Sequence, residues 1–378
     1  MKQILLFLLF LSLLNSKLCA KSETEVNGYL RGTYQIHDIK NDRVYKDDAI
    51  GGKLHFETAS TDGVSLGASL YTSSSLLHDD NKGLISLRGE THKSYTILGE
   101  AYLKSEFGKS VLKIGRQEIE TPFAQIDDIG MIPNTFEAVI LVNRDMENTT
   151  LFLGQIQKMA GVDAEVIDEF TKINGSKHMQ VAGLSYEGIT NLALSGWYYR
   201  LSGAEIDKIT YLEAMYEKEL GAYNYGWGLQ YSNQRHMIGA STKVLGATLT
   251  FTANKMGLTF ATAYNETKDG TAFSGFGGGP FFSNSEYLIL DNGGDDAKAK
   301  WMGVEFDASV LGTKGLTMSI GQITLETASK KEATELDFVA SYEFNEDIEV
   351  HMIYSNLKGA NVEEDDAKHF RIYANYNF

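Results

Sequence analysis

The chain has 378 residues, with 34 lysines and arginines against 50 aspartates and glutamates and a formal net charge of −16. This acidic balance argues against a nucleic-acid partner, because such a partner requires basic patches. The 37 glycines, 20 tyrosines and 19 phenylalanines beside only 3 prolines are typical of a transmembrane β-barrel rather than of a globular β-sandwich.

Residues 1–20 are predicted to be a secretory signal peptide, which leaves a mature chain of residues 21–378. Lys2 supplies the positive charge, and the apolar run at 4–14 is much shorter than the ~20 residues of a transmembrane helix. The sole cysteine, Cys19, lies in this segment, where a lipoprotein attachment site is the alternative. Disulfides, thiol catalysis and cysteine-ligated metals are therefore excluded from the mature chain.

Most of the mature chain alternates apolar and polar residues with the period of 2 that is typical of a strand with one apolar face. The closing segment shows it best, since Phe370, Ile372, Ala374 and Tyr376 are separated by polar or amphipathic residues. The pattern predicts an all-β protein of eighteen strands, at approximately 25–37, 48–61, 64–77, 96–107, 109–118, 135–146, 149–158, 178–188, 190–201, 207–220, 222–236, 242–254, 256–267, 298–312, 314–326, 332–344, 347–358 and 366–378.

The connections between these strands are alternately short and long. Every second one is a tight turn, and the longest of the others are 78–95, 118–134, 159–177 and 268–297. Short turns at one end and long loops at the other are typical of outer-membrane barrels. An even strand number also places both termini on the periplasmic side. The sequence therefore predicts a single transmembrane antiparallel β-barrel of about 18 strands in the bacterial outer membrane.

The run GRQEIETP at 115–122, followed by DDIGMIPNTFE at 127–137, is similar to the region of strand 5, loop 3 and strand 6 in the OprD-type outer-membrane porins. The resemblance covers the whole mature chain. It implies a channel for passive diffusion of small hydrophilic solutes, such as carboxylates or amino acids, with no cofactor and no enzymatic activity. Where family members often have an arginine before the Met and Pro, this chain has Gly130, so the family's substrate preference does not transfer directly.

The resemblance also implies that loop 3, residues 118–134, folds inward and narrows the lumen. Pro122 and Pro133 bracket the loop, and each fixes φ and removes a hydrogen-bond donor. Asp127 and Asp128 are then the acidic residues expected at the constriction. The alternative is a surface loop that faces outward, because a loop of this length is either functional or disordered.

Strand parity predicts which charged residues line the lumen. One wall, on strands 1, 2, 4, 5 and 18, is predicted to carry a basic ladder of Arg31, Lys53, Lys104, Lys113 and Arg371. The opposing wall is predicted to carry the acidic residues Glu213, Glu305, Asp307 and Asp337. Segregated charges would orient a zwitterion or carboxylate wherever the pore is narrower than the ~8 Å screening length of physiological salt. The alternative is that these charges only keep a wide lumen hydrated.

Three further segments carry motifs. The G-x-S-x-G pattern at 63–67 lacks the strand-to-helix turn of a serine hydrolase. The loop 268–297 is glycine-rich and aromatic, and it is either exposed or bent toward the pore mouth. The acidic turn 291–296 offers oxygen ligands without EF-hand spacing, so a solvated turn is favoured over a calcium site, and no metal is expected.

The predicted partners follow from the predicted location. They are outer-membrane lipids and lipopolysaccharide, the barrel assembly machinery acting through the C-terminal strand, and small hydrophilic solutes. The porin is expected to be a monomer or a weak trimer. Two other functions stay open: a structural or adhesive barrel with a plugged lumen, and an outer-membrane lipid hydrolase, which is disfavoured because no nucleophile–base pair is apparent.

Overall fold

The computed structural model describes most of the chain that follows the predicted signal peptide. The described residues are 23–40, 42, 44–77, 84, 87, 89, 93–173, 177–201, 204–239, 241–359 and 366–378. Residues 1–20, predicted to be the signal peptide, lie outside the described residues, so that assignment stays a prediction. No helix in the described ranges is both long and apolar enough to cross a membrane.

In the described ranges, nineteen strands form one sheet, and one of them, Thr171–Lys172, has only two residues and pairs with the end of the strand Thr149–Ala160. The other eighteen are β1 (Glu25–Ile39), β2 (Val44–Glu57), β3 (Val64–Ser74), β4 (Tyr95–Phe107), β5 (Ser110–Gln117), β6 (Thr135–Asn143), β7 (Thr149–Ala160), β8 (Met179–Ile189), β9 (Leu192–Arg200), β10 (Ile206–Leu220), β11 (Tyr223–His236), β12 (Ser241–Ala253), β13 (Leu258–Lys268), β14 (Lys298–Asp307), β15 (Leu316–Glu326), β16 (Glu332–Glu343), β17 (Ile348–Lys358) and β18 (Ala367–Asn377). The predicted number and order of strands are confirmed. The boundaries differ by a few residues, because cross-strand pairing extends some strands and shortens others.

The sheet closes into a barrel because β1 pairs with both β2 and β18. Every neighbouring pair is antiparallel, and Arg31 on β1 lies opposite Asn375 on β18. At the end of the seam, Gly28 and Phe378 exchange two backbone hydrogen bonds of 2.9 and 3.0 Å. Closure satisfies the backbone groups that an edge strand would leave exposed to lipid. The predicted closed antiparallel barrel is therefore confirmed.

The two faces of the wall have opposite polarity. On β11, Leu229 is 55% exposed, whereas the next residue, Gln230, is 4% exposed on the inner face. The same alternation of exposed apolar and enclosed polar side chains occurs along β3, where Leu66 and Leu70 are exposed and Ser69 is buried. A barrel that is surrounded by lipid requires this arrangement.

The connections differ sharply between the two ends of the barrel. One end has two-residue turns at 108–109, 190–191 and 221–222. The other end has the longest connections, at 75–94, 118–134, 161–178 and 269–297. The predicted rhythm of short turns and long loops is confirmed. Below, loop 3 denotes residues 118–134 and the long loop denotes residues 269–297.

Candidate functional site

One end of loop 3 is attached to the barrel wall at β1 and β18. The Arg31 guanidinium donates to the two carboxylate oxygens of Asp128, at 2.6 and 2.7 Å, and to the carbonyl oxygen of Gly130 at 2.7 Å. The Tyr373 hydroxyl donates to the carbonyl oxygen of Ile129. The Arg31 side chain is only 7% exposed. A bidentate arginine–carboxylate pair of this kind fixes orientation as well as charge, so it holds this end of loop 3 in place.

The other end of loop 3 is attached to β9 and β10. The Phe123 ring is fully buried and makes edge contacts with Tyr199 on β9 and Tyr211 on β10, at centroid distances of 5.3 and 5.8 Å. The Phe123 N–H donates to the Tyr199 hydroxyl oxygen at 3.3 Å. In a ring of eighteen strands, β9 and β10 lie on the opposite side from β1 and β18. Loop 3 therefore contacts inner-face residues on two opposite sides of the barrel.

The long loop pairs with loop 3 through backbone hydrogen bonds. Ala124 and Phe276 form an isolated parallel bridge. The Gln125 N–H donates to the Phe276 carbonyl at 2.9 Å, and the Phe276 N–H donates to the Phe123 carbonyl at 3.0 Å. The buried Phe281 ring lies 6.2 Å from the Phe123 ring. The two loops are therefore joined by both backbone and side-chain contacts.

The long loop is also held by two carboxylates on the inner face of β16. Glu335 accepts hydrogen bonds from the N–H groups of Tyr287 and Leu288, at 3.0 and 2.6 Å. Asp337 accepts from the Ser285 hydroxyl. Through these hydrogen bonds, β16 fixes the middle of the long loop against the wall.

Arg371 on β18 also binds the long loop. Its guanidinium pairs with the carboxylate of Glu286, and its side chain is 6% exposed. Beside this pair, the Tyr287 ring stacks on the His369 ring at a centroid distance of 4.1 Å. Arg371 thus resembles Arg31 in its surroundings, because each arginine is enclosed by a loop that it holds.

The three lysines of the predicted basic ladder alternate with carboxylates on the same wall. The Lys53 Nζ lies 2.9 Å from Glu100 and 2.9 Å from Glu118. The predicted segregation of positive and negative charge onto different walls is therefore wrong at this wall. Glu100 is not among the residues predicted from the sequence. It has the same inward parity as Lys104 on β4, and this parity could have identified it.

Lys104 and Lys113 continue the same pattern. The Lys104 Nζ lies 3.1 Å from Glu57 and 2.7 Å from Glu106, and Lys113 lies 3.6 Å from the Tyr102 ring centroid. Glu57 was also missed, and it shares the inward parity of Lys53 on β2. Each of the three lysines therefore has a carboxylate within 4 Å, and the wall is strongly polar.

Two tyrosines lie flat against this wall because glycines face them across the strand pair. A Cβ at Gly67 would lie 2.1 Å from Cζ of Tyr102, and a Cβ at Gly99 would lie 2.4 Å from Cδ2 of Tyr71. The Tyr102 hydroxyl donates to Glu57 at 2.8 Å. The glycines therefore create the space in which these rings lie, and the ring hydroxyls orient the carboxylates.

The residues of the predicted opposing acidic wall are dispersed. Glu213 lies on the inner face of β10 and Glu305 on that of β14. Asp307 is the last residue of β14, where it accepts from the Ser309 N–H at 2.9 Å in a turn at the short-turn end. Asp337 lies beneath the long loop. Asp307 and Asp337 each accept local hydrogen bonds, so a continuous acidic wall that opposes the basic ladder stays a prediction.

An opening of about 360 Å³ lies between loop 3 and the wall at β1 and β2. Three charged residues border it, namely Lys53, Glu118 and Asp128. The other lining residues are Asn27, Gly28, Tyr29, Ile126, Pro133, Asn377 and Phe378. The opening therefore joins one positive and two negative side chains at the place where loop 3 approaches the wall.

The residues of the calcium and hydrolase patterns take part in local structure. Asp291 accepts from the N–H and the hydroxyl of Ser274, both at 2.7 Å, and Asp296 accepts from the Asp269 N–H at 2.7 Å. In the described ranges, no group of three or more His, Cys, Asp or Glu residues is arranged to hold a metal ion. Ser65 of the G-x-S-x-G pattern lies within β3 rather than at a strand-to-helix turn.

The anchoring of loop 3 is expected to weaken as the pH rises, because of Glu120. Burial raises the pKa of Glu120 to about 8, and the nearby Asp127 adds to the rise, while the N–H of Ile126 at 3.3 Å opposes it. A raised carboxyl pKa favours the protonated form in the folded loop. Its stabilising effect is complete below about pH 4.5, the unfolded value, and is lost as the pH rises to about 8.

For the channel that the sequence predicts, the measurement is the fluctuation of the open-channel current between about pH 5 and about pH 9. Wild-type fluctuation should increase across this window, and Glu120→Gln should make it independent of pH. Glu165→Gln, an exposed residue in a different loop, serves as the control and should behave as wild type. A Glu120→Gln variant that keeps the full pH dependence would show that another group is responsible.

The sequence and the fold were compared with those of known proteins. A search of curated protein sequences finds no significant match. Among solved structures, the BenF-like porin from Pseudomonas fluorescens Pf-5 has a TM-score of 0.83 at 15% identity, covering 95% of this chain and 100% of that chain. Pseudomonas aeruginosa OccK9 (OpdG) has a TM-score of 0.83 at 17% identity, covering 95% and 99%. Pseudomonas aeruginosa OpdK, in a structure with vanillate, has a TM-score of 0.82 at 16% identity, covering 95% and 100%.

These likenesses agree on the fold. The family model described as "outer membrane porin, OprD family" matches residues 23–378. That range contains all eighteen barrel strands together with loop 3 and the long loop. The chain therefore belongs to the OprD family of outer membrane porins, and it forms a channel for small solutes in the bacterial outer membrane.

Proposed function

We propose that the porin passes small hydrophilic solutes that carry a carboxylate, and that loop 3 and the long loop fold inward to narrow its lumen. The observation that carries the proposal is the position of Lys53. Its side chain pairs with both Glu100 and Glu118, borders the opening beside loop 3, and is 16% exposed. An ammonium group that is already balanced by carboxylates can exchange one of them for a passing carboxylate at a small cost in free energy.

The basic residues of this wall divide into two roles. Arg31 and Arg371 hold the loops, since their side chains are 7% and 6% exposed. Lys53, Lys104 and Lys113 are 16%, 18% and 23% exposed, and they present positive charge to the solute. Arg31 donates a hydrogen bond to the Gly130 carbonyl. A positive charge of the wall therefore lies beside Gly130.

The acidic side of the constriction is supplied chiefly by loop 3. Asp128 and Glu118 are 35% and 34% exposed at the opening, and Asp127 lies next to Asp128. Glu213 and Glu305 extend the acidic lining along the inner wall. A solute with one positive and one negative group would contact both sets, so amino acids are the second class of solute that the charges favour.

A related structure guides the choice of the first probe. The OpdK structure, which shares the fold of this chain, contains vanillate, an aromatic carboxylate. A single aromatic ring is compatible with the opening of about 360 Å³. Benzoate is therefore a suitable test solute, and benzamide is its uncharged counterpart of nearly the same shape.

The orientation and the partners follow from the barrel. The long-loop end faces the exterior, as is general for outer-membrane barrels. Both termini then lie in the periplasm, because an even number of strands returns the chain to its starting side. Lipopolysaccharide and other outer-membrane lipids surround the barrel, and the barrel assembly machinery recognises the C-terminal strand. The porin acts as a monomer or weak trimer, without catalytic activity.

The test is the block of single-channel current in planar bilayers. Millimolar benzoate is expected to interrupt the wild-type current, whereas benzamide should not. Lys53→Gln should weaken the benzoate block about tenfold or more, because a charge-assisted hydrogen bond contributes about 1.5–3 kcal/mol. Lys218→Gln, on the outer face of β10, is the matched control and should keep the block.

Two outcomes contradict the proposal in different ways. Equal block by benzoate and benzamide, or equal block of wild type and Lys53→Gln, would remove the carboxylate preference. Folded protein that gives no open-channel steps would instead favour the structural or adhesive barrel with a plugged lumen.

A further inference from the structure

Three basic residues lie side by side on the outer face of the barrel, at the long-loop end. Arg200 on β9 lies directly opposite Lys208 on β10, and Lys208 lies directly opposite Arg235 on β11. Side chains directly opposite each other on neighbouring strands have Cβ atoms about 5 Å apart. Below, the basic row denotes Arg200, Lys208 and Arg235.

The outward direction of the basic row follows from the strand faces. Tyr199, Ile209 and Gln234, which adjoin the three basic residues in sequence, are each completely buried on the inner face. Because successive side chains of a strand point to opposite faces, the basic row points away from the lumen. Arg200 and Arg235 are exposed and Lys208 is partly exposed.

The basic row has no partner of opposite charge in the described part of the chain. None of its three residues forms an ion pair there, although Asp207 and Glu205 are close in sequence. Other outward lysines nearby are paired, since Lys243 lies 3.2 Å from Asp269. Like charges directly opposite each other destabilise a sheet, so three adjacent cations favour an external anion.

The side chains below the basic row change from polar to apolar in order. The next outward cross-strand row is Tyr198, Thr210 and Asn233. Further toward the short turns come Leu212 and Leu229, which are 51% and 55% exposed. A change from cations through polar groups to exposed leucines follows the change from lipid head groups to hydrocarbon in a membrane leaflet.

Other occupants of this face fit the charges less well. A second copy of the chain docked across a twofold axis would place one basic row against another. A free phosphate ion would leave the exposed leucines below the row uncovered. An anionic lipid satisfies both parts of the face, because its phosphate groups pair with the cations and its acyl chains cover the leucines.

We propose that the basic row binds the phosphate groups of the outer-leaflet glycolipid, the lipid A moiety of lipopolysaccharide. The inference rests on the proposed orientation, in which the long-loop end faces the exterior. Arginine and lysine donors pair strongly with phosphate oxygens, arginine in a bidentate manner. The adjacent apolar side chains would contact the acyl chains of the same molecule.

The test is the binding of bisphosphorylated lipid A to the purified, delipidated porin in detergent micelles, measured by native mass spectrometry. Wild type should bind it about tenfold more tightly than dephosphorylated lipid A, since several charge-assisted hydrogen bonds are involved. The triple variant Arg200→Gln/Lys208→Gln/Arg235→Gln should lose this preference. Equal binding by wild type and the triple variant would overturn the proposal, as would full displacement by millimolar inorganic phosphate.

A matched control changes the same number of charges at the other end of the barrel. Lys218→Gln/Lys255→Gln/Lys314→Gln lies at the short-turn end and should keep the preference for phosphorylated lipid A. If this control loses the preference while the triple variant keeps it, the orientation is reversed and the proposed site is overturned.

Two further measurements separate a binding role from a structural one and from the channel. In lipid-free detergent, the melting temperature of the triple variant should equal or exceed that of wild type, because repulsion between like charges is removed. A lowered melting temperature would assign the row a structural role instead. Block of the channel current by benzoate should be the same in the triple variant as in wild type. The lipid test is therefore independent of the carboxylate proposal, and either one can fail without the other.

Discussion

Replacing Arg31, Lys53 and Arg371 together by glutamine is expected to shift the reversal potential of the channel strongly toward cations. The three changes leave Asp128, Glu118 and other partner carboxylates without their positive charges. A unit charge about 4 Å from a passing ion changes its energy by about 1 kcal/mol in water, which is roughly a factor of five in relative permeability. The ratio of cation to anion permeability should therefore rise at least about fivefold.

The measurement is the reversal potential across a bilayer that separates two potassium chloride concentrations. The control is the triple variant Lys218→Gln/Lys255→Gln/Lys314→Gln, which removes three charges outside the lumen and should leave the potential unchanged. Each variant is first checked for the heat-dependent gel shift of a folded barrel. A folded variant with the wild-type reversal potential would show that these three residues do not set ion preference.

Replacing Phe123 by alanine is expected to release loop 3 from β9 and β10 while leaving the barrel intact. Truncation of a fully buried phenylalanine costs about 3–5 kcal/mol, and Phe123 contacts Tyr199, Tyr211 and Phe281. The strand ladder does not involve this side chain, so the gel shift of the folded barrel should persist. If loop 3 narrows the lumen as proposed, the channel should show a larger mean conductance and greater current fluctuation, because one end of the loop has become mobile.

The matched control is Phe251→Ala on the outer face of β12. Phe251 is 44% exposed and does not contact loop 3, so its truncation should leave both conductance and fluctuation unchanged. If Phe123→Ala folds and conducts as wild type does, the aromatic contact is not what holds loop 3 in position.

The barrel could be predicted because its determinants are local and repeated. On β18, Phe370, Ile372, Ala374 and Tyr376 alternate with polar residues, and this period alone indicates a strand between lipid and water. Tight turns such as Gly108–Lys109 mark one end in the same local way. Strand order then followed from sequential antiparallel pairing, which needs no long-range information.

The attachment of loop 3 could not be predicted from these patterns, because it depends on contacts between distant parts of the chain. Parity predicts that Arg31 lies on the inner face, but it cannot reveal that Asp128 and Gly130 enclose the guanidinium. Likewise, Asp337 shares the inward parity of a pore-lining residue, yet the long loop covers it through Ser285. Loop conformation, rather than strand parity, decides which inward charges remain available to a solute.

The bridge between Ala124 and Phe276 has a consequence for engineering the channel. It makes the region where loop 3 meets the long loop a joint product of two segments that are about 150 residues apart in the chain. A chimera that receives loop 3 alone from a relative would place a foreign backbone against the resident glycine-rich loop, and neither would keep its shape. Transfer of solute preference between relatives should therefore require both segments to be exchanged as a pair.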